Sequence, residues 1–136
     1  MRPSDRENQC LPHVLIVDDQ EDSVTALKYA LEQQGYRVTV AVDGNQAIAF
    51  IEVASPDLVL LDVMMPKRSG FMVLEYLRGT MERHIPIVML TAVDGTRHRK
   101  YANALGVDDY VNKPYVIENL LKTVRNLIEK NKREED

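Results

Sequence analysis

At 136 residues, 45% of them apolar, the chain has room for one domain with a well-filled interior. Charged residues make up 28% with a formal net charge of −4, and without an extended basic tract that balance argues against direct nucleic-acid binding. The single cysteine, Cys10, excludes an internal disulfide and fits a reducing compartment; no apolar run approaches the roughly 20 residues a bilayer-spanning helix needs.

Taken in order, short apolar runs alternate with segments of helical period. Residues 1–12 read as a flexible arm; they are polar and lack the apolar stretch of a secretion signal, so the cytoplasm is the expected location. Val14-Leu15-Ile16-Val17 is a first strand, continuously apolar as strands covered on both faces are. A helix over about Glu21 to Gln34 follows, with Val24, Leu27 and Leu31 on one face and Gly35 as its stop. Arg37 to Val42 alternates more and suits a strand nearer an edge. The second helix starts near Asp43 and is expected to bury Ala47, Ile48 and Ile51. Leu58-Val59-Leu60-Leu61 is the third strand, and the helix after Gly70 carries Val73, Leu74 and Leu77. Ile87-Val88-Met89-Leu90 is the fourth strand. The segment from about Thr96 to Leu105 reads as a less apolar helix ending at Gly106. Asp109-Tyr110-Val111-Asn112 is a short fifth strand. The last helix sets Ile117, Leu120, Leu121, Val124 and Ile128 at helical spacing. The domain is thus expected over 13–130, with the helix fraying from about Glu129 into a charged tail at 131–136.

Strand–helix alternation of this kind gives an α/β fold, (βα)₅. Right-handed crossovers then imply a doubly wound parallel sheet, flavodoxin-like, with strand order 2-1-3-4-5. Such sheets bind ligands outside the carboxyl ends of the strands, beside the point where strand order reverses. Asp18 and Asp19 after strand one, Asp62 after strand three, Thr91 closing strand four and Lys113 after strand five all fall there. Three adjacent carboxylates repel one another, each pair by about 4 kcal/mol at ~4 Å and an effective dielectric near 20. A divalent cation relieves that conflict, and an all-oxygen donor set suits Mg²⁺. Phosphoryl transfer asks for a nucleophile plus charge neutralisation around the transferred group, which Asp62, Thr91 and Lys113 with a metal supply. Singly, each residue has a plainer reading: a strand-end aspartate caps the next helix, a threonine caps a turn, a lysine faces solvent.

These residues resemble the receiver domains of two-component response regulators over roughly 13–130. The resemblance is carried by Val17-Asp18-Asp19, Asp62-Val63-Met64-Met65-Pro66 with Gly70, Thr91-Ala92, and Asp109-Tyr110-Val111-Asn112-Lys113-Pro114. It implies that Asp62 is the phosphoacceptor. Asp19, Asp62 and the Met64 backbone carbonyl would be Mg²⁺ ligands, with Asp18 assisting through water. Thr91 is similar to the hydroxyl that bonds the phosphoryl group, and Lys113 to the lysine that pairs with it. Ala92 leaves the acyl phosphate accessible, Tyr110 matches the aromatic that turns inward with the threonine, and Pro114 sits where a cis peptide bond is usual. The implied protein is a signalling switch, an enzyme only toward its own phosphorylation. A histidine kinase or histidine phosphotransfer protein would supply the phosphoryl group. A downstream protein would read the face formed by segment 96–105, the fifth strand and the last helix.

The resemblance does not reach the output. Charge-paired dimers on that face use acidic and basic positions, for which Asp108, Asp109 and Arg99 stand ready, but Asn119 and Thr123 replace the usual Glu and Arg; a monomer or weak dimer is expected. A stand-alone, single-domain receiver is the leading expectation, and a receiver excised from a longer regulator or hybrid kinase is its close variant. His13, His84 and His98 are scattered and form no ligand spacing. Arg97-His98-Arg99-Lys100 is a solvated basic face or a partner-facing one. An aspartyl phosphatase would want a second acid near the nucleophile, where Met64 stands. A flavin site would need a phosphate-cradling turn instead of Asp18-Asp19-Gln20-Glu21.

Overall fold

Three uninterrupted apolar runs require cover on both faces, and among the described residues four helices provide it. The computed structural model describes residues 11–62, 70–80, 84–91, 100, 103–104 and 106–135. Its strands are β1 (His13–Val17), β2 (Arg37–Ala41), β3 (Leu58–Asp62), β4 (Ile87–Thr91) and β5 (Asp109–Asn112). The helices are α1 (Glu21–Gln33), α2 (Gly44–Val53), α3 (Gly70–Thr80) and α4 (Ile117–Glu135). All pairings are parallel, in the order β2-β1-β3-β4-β5, as the alternation predicts.

Side-chain alternation splits the core into two layers. Leu15 and Val17 of β1, Val59 and Leu61 of β3, and Ile87 and Met89 of β4 face α2 and α3, meeting Ala47, Ile51, Val73, Leu74 and Leu77. Val14, Ile16, Leu58, Leu60, Val88 and Leu90 face α1 and α4, meeting Val24, Leu27, Leu31, Leu120, Val124 and Ile128. Every residue of β3 and β4 is buried. Truncating a central one such as Leu60 to Ala is therefore expected to cost about 2–5 kcal/mol.

Local signals set the helix ends. Gly35 takes φ +92°, and the Gly35 and Tyr36 N–H groups donate to the carbonyls of Glu32 and Leu31 at 3.0 and 3.2 Å. That is the paired-bond stop which needs a left-handed residue after the helix. Asp43 caps α2 by accepting from the Gln46 N–H at 2.9 Å, while Gln46 Oε1 accepts from the Val42 N–H at 3.0 Å.

Some expectations shift. Val42 lies beyond β2 and is exposed, and Ile48 is only half-buried because Ala47 and Ile51 hold the inward face of α2. The last helix does not fray at Glu129 but runs to Glu135. Asn131 is buried there and its Nδ2 donates to the His84 carbonyl at 3.3 Å. The arm over 1–10 and most of the predicted helix over 96–105 lie outside the described residues. Lys100, Asn103 and Ala104 within that segment are helical.

Candidate functional site

Parallel strands aim their carboxyl ends at one edge, so β1, β3, β4 and β5 deliver Asp18, Asp62, Thr91 and Lys113 to the same place. Asp18, Asp19 and Asp62 each offer a carboxylate oxygen within 4.8 Å of the others. Asp18 and Asp62 are buried and Asp19 is exposed. Asp18 is fixed at both ends: its N–H donates to the Ala41 carbonyl at 3.0 Å, and its Oδ1 accepts from the Gln20 N–H at 2.9 Å. The capping reading of Asp18 and Asp19 fails here, because Gln20 holds the N-cap position of α1.

The Lys113 ammonium closes the cluster. Its Nζ lies 2.9 Å from Asp18 Oδ2 and 3.8 Å from Asp62 Oδ2, and it donates to Gln20 Oε1 at 3.3 Å. With the lysine side chain 14% exposed and that of Asp18 5% exposed, this is a largely desolvated pair. Losing one partner would leave a buried charge uncompensated. The Lys113 N–H also donates to the Thr91 carbonyl at 2.7 Å, which locks the end of β5 to β4. Thr91 is fully buried. The Lys113–Pro114 peptide bond is cis. Next to it, the phenol of half-buried Tyr115 is pushed above its ordinary value, first by burial and then by the Asp18 carboxylate. Tyr110 is half-buried and packs against the α2–α3 core layer. Met64 and Ala92 lie outside the described residues.

The donor set fits a hard divalent cation. Among the described residues three carboxylates converge with no nitrogen or sulfur ligand beside them, which is the preference of Mg²⁺, and an exposed member leaves room for retained waters.

A family model, the response regulator receiver domain, matches residues 14–125. The chain belongs to that family. It is 45% identical over 102 residues to the alkaline phosphatase synthesis transcriptional regulatory protein PhoP of Bacillus subtilis strain 168, a match covering 75% of this chain and 42% of that protein. The chain therefore spans less than half the length of this curated relative. Among solved structures, a CheY-like receiver domain protein from Methanospirillum hungatei JF-1 superposes with TM-score 0.87 at 27% identity, covering 91% of this chain and 98% of that one. The receiver domain of the Francisella response regulator 1452 gives TM-score 0.82 at 33% identity, over 88% of this chain and 98% of that one. Receiver domains are signalling switches rather than conventional enzymes, working between histidine kinases and downstream effectors. No described helix of this receiver is long and apolar enough to cross a membrane.

The opposite end of the receiver's sheet holds a second polar cluster that sequence reasoning missed. Asp108 Oδ2 accepts from Arg78 Nη2 and from the Ile87 N–H, both at 2.8 Å, and its Oδ1 lies 3.1 Å from His84 Nε2. Arg78 also donates to the carbonyls of Ile85 at 2.8 Å and Gly106 at 2.9 Å. Burial lowers the Arg78 pKa, against the opposing pull of Asp108. Asp108 is exposed, yet its carboxylate ties together α3, β4 and the approach to β5. Asp109 remains exposed. Thirty residues separate Arg78 from Asp108, so no local spacing announces the pair.

Proposed function

We propose that this receiver takes a phosphoryl group on Asp62 from a histidine kinase or histidine phosphotransfer protein in a Mg²⁺-dependent reaction. The observation that carries the proposal is the meeting of three carboxylates from two strand ends within 4.8 Å, with the Lys113 ammonium among them. Asp19 and Asp62, with the Met64 carbonyl, are assigned the direct metal contacts, and Asp18 a contact through water. The metal, when bound, supplies charge neutralisation on the phosphoryl oxygens.

The chain's own groups do the rest. An Asp62 oxygen attacks phosphorus as the bond to the donor's imidazole nitrogen breaks. Lys113 pairs with one phosphoryl oxygen, and the Thr91 hydroxyl donates to another. Small Ala92 leaves the approach open. Phosphorylation adds about −1.5 to −2 charge and new acceptors. Drawing Thr91 toward them vacates space that Tyr110 enters, so the face built by segment 96–105, β5 and α4 changes shape for a partner protein. Only a difference in stabilisation between the two states can move that equilibrium. The Asp108 carboxylate is already paired with Arg78, and Asn119 and Thr123 stand where a charge-paired dimer carries Glu and Arg, which supports a monomer or weak dimer. Self-dephosphorylation is the only other chemistry assigned, and the proposed location is the cytoplasm.

Amide shifts on adding Mg²⁺ and beryllofluoride test this reading. Large shifts at Asp18, Asp62 and Lys113 that extend into β5 are expected. An Asp62→Asn protein responding as wild type would overturn it.

A further inference from the structure

Gln20 holds the N-cap position of α1, yet its side chain makes no capping bond. Short polar chains are favoured at such positions because they fold back onto the first-turn N–H groups. The longer glutamine chain turns toward β5 instead, and its Oε1 accepts from Lys113 Nζ at 3.3 Å. Its backbone N–H donates to Asp18 Oδ1 at 2.9 Å, and Asp18 Oδ2 accepts from the same ammonium at 2.9 Å. One exposed residue thus touches both halves of the Asp18–Lys113 ion pair. The ammonium carries three donors. Asp18 and Gln20 take two of them, while Asp62 Oδ2 stays 3.8 Å away, beyond hydrogen-bond reach.

We infer that Gln20 is a positioning residue that holds the Lys113 ammonium beside Asp18 and off Asp62. The inference rests on the reading of Asp62 as phosphoacceptor and names what keeps its lysine partner parked beforehand. Coulomb attraction alone would centre an ammonium between the two buried carboxylates. A charge seated there would oppose an incoming cation. A neutral acceptor on the α1 side draws the lysine away and still releases it cheaply, since a bond to a neutral amide is worth less than one to a carboxylate. Glutamate in its place would grip harder.

The test uses Gln20→Met, which keeps length and removes the acceptor, and Gln20→Glu, which keeps an acceptor. Gln20 is exposed, so neither change disturbs the core. The primary readout is water exchange of the Lys113 side-chain ammonium by ¹⁵N NMR in metal-free protein. Gln20→Met is expected to speed that exchange about three- to ten-fold, and Gln20→Glu to return it to the wild-type rate or below. Mg²⁺ affinity of Gln20→Met should fall about three-fold or more as the released, mobile lysine samples positions nearer Asp62. Exchange in Gln20→Met within two-fold of wild type, or no recovery in Gln20→Glu, overturns the inference. The ammonium readout needs neither metal nor phosphoryl group. A failure of Asp62 to accept phosphate would therefore count against the proposed function, while the role of Gln20 stands or falls on the ammonium exchange alone.

Discussion

Replacing Asp19 with Asn in the acidic cluster should make the metal-free protein more stable. The change keeps side-chain volume and removes one negative charge from three carboxylates that lie within 4.8 Å of one another. At that separation a like-charge pair costs about 3.5 kcal/mol at an effective dielectric near 20 and about 0.9 kcal/mol in water. Asp19 is exposed, which favours the lower end. Lys113 already offsets much of the charge on Asp18 and, from 3.8 Å, part of that on Asp62. The expected gain is about 1–2 kcal/mol, or roughly 3–6 °C in Tm. Urea unfolding followed by circular dichroism, in EDTA at low salt and again with excess Mg²⁺, measures it. Wild type should gain about 2.7 kcal/mol when Mg²⁺ stands at 100 times its Kd. The variant, lacking one of the proposed direct ligands, should gain far less, so the ranking of the two proteins reverses. A variant that loses stability in EDTA, or gains as much from Mg²⁺ as wild type, would refute the reasoning.

Asp108→Ala should cost about 3 kcal/mol in the same assay, because it strips partners from the partly buried Arg78 and the Ile87 N–H together; a loss below about 1 kcal/mol would contradict that. His13, whose Nε2 lies 2.7 Å from the Thr39 hydroxyl, has its pKa lowered from 6.5, first by burial and then by Arg37, against Asp57. A depressed folded-state value means the unfolded chain binds the proton first. Its contribution is therefore complete above pH 6.5 and is lost as pH falls from there through the folded value. Urea titrations across that window should show wild type losing stability relative to His13→Asn, and a flat difference would count against it. Thr91→Ala should still take up phosphate while shift changes across 96–112 are damped; undiminished shifts would mean the signal leaves by another route.

The sheet order was legible because continuous apolar runs such as Leu58–Leu61 are readable without their partners, and parallel topology then fixes which loops meet. That logic also brought Asp18, Asp19, Asp62, Thr91 and Lys113 to one edge before any distance was known. Side-chain commitments over long separations were not legible. Asp108 reads as an unpaired acid until Arg78 is seen beside it, and Asn131 reads as tail until its bond to the His84 carbonyl holds the last turns of α4 in place. Gln20 is an ordinary polar residue in sequence. Its bond spans 93 positions to Lys113, and only the fold closes that gap.

Intact mass after incubation with acetyl phosphate tests the central claim most directly, run on wild type and Asp62→Asn with Mg²⁺ and with EDTA. Wild type should gain one phosphoryl group with Mg²⁺ and none in EDTA, and the variant should gain none in either. An Asp62→Asn protein acquiring the same mass at the wild-type rate would contradict the account.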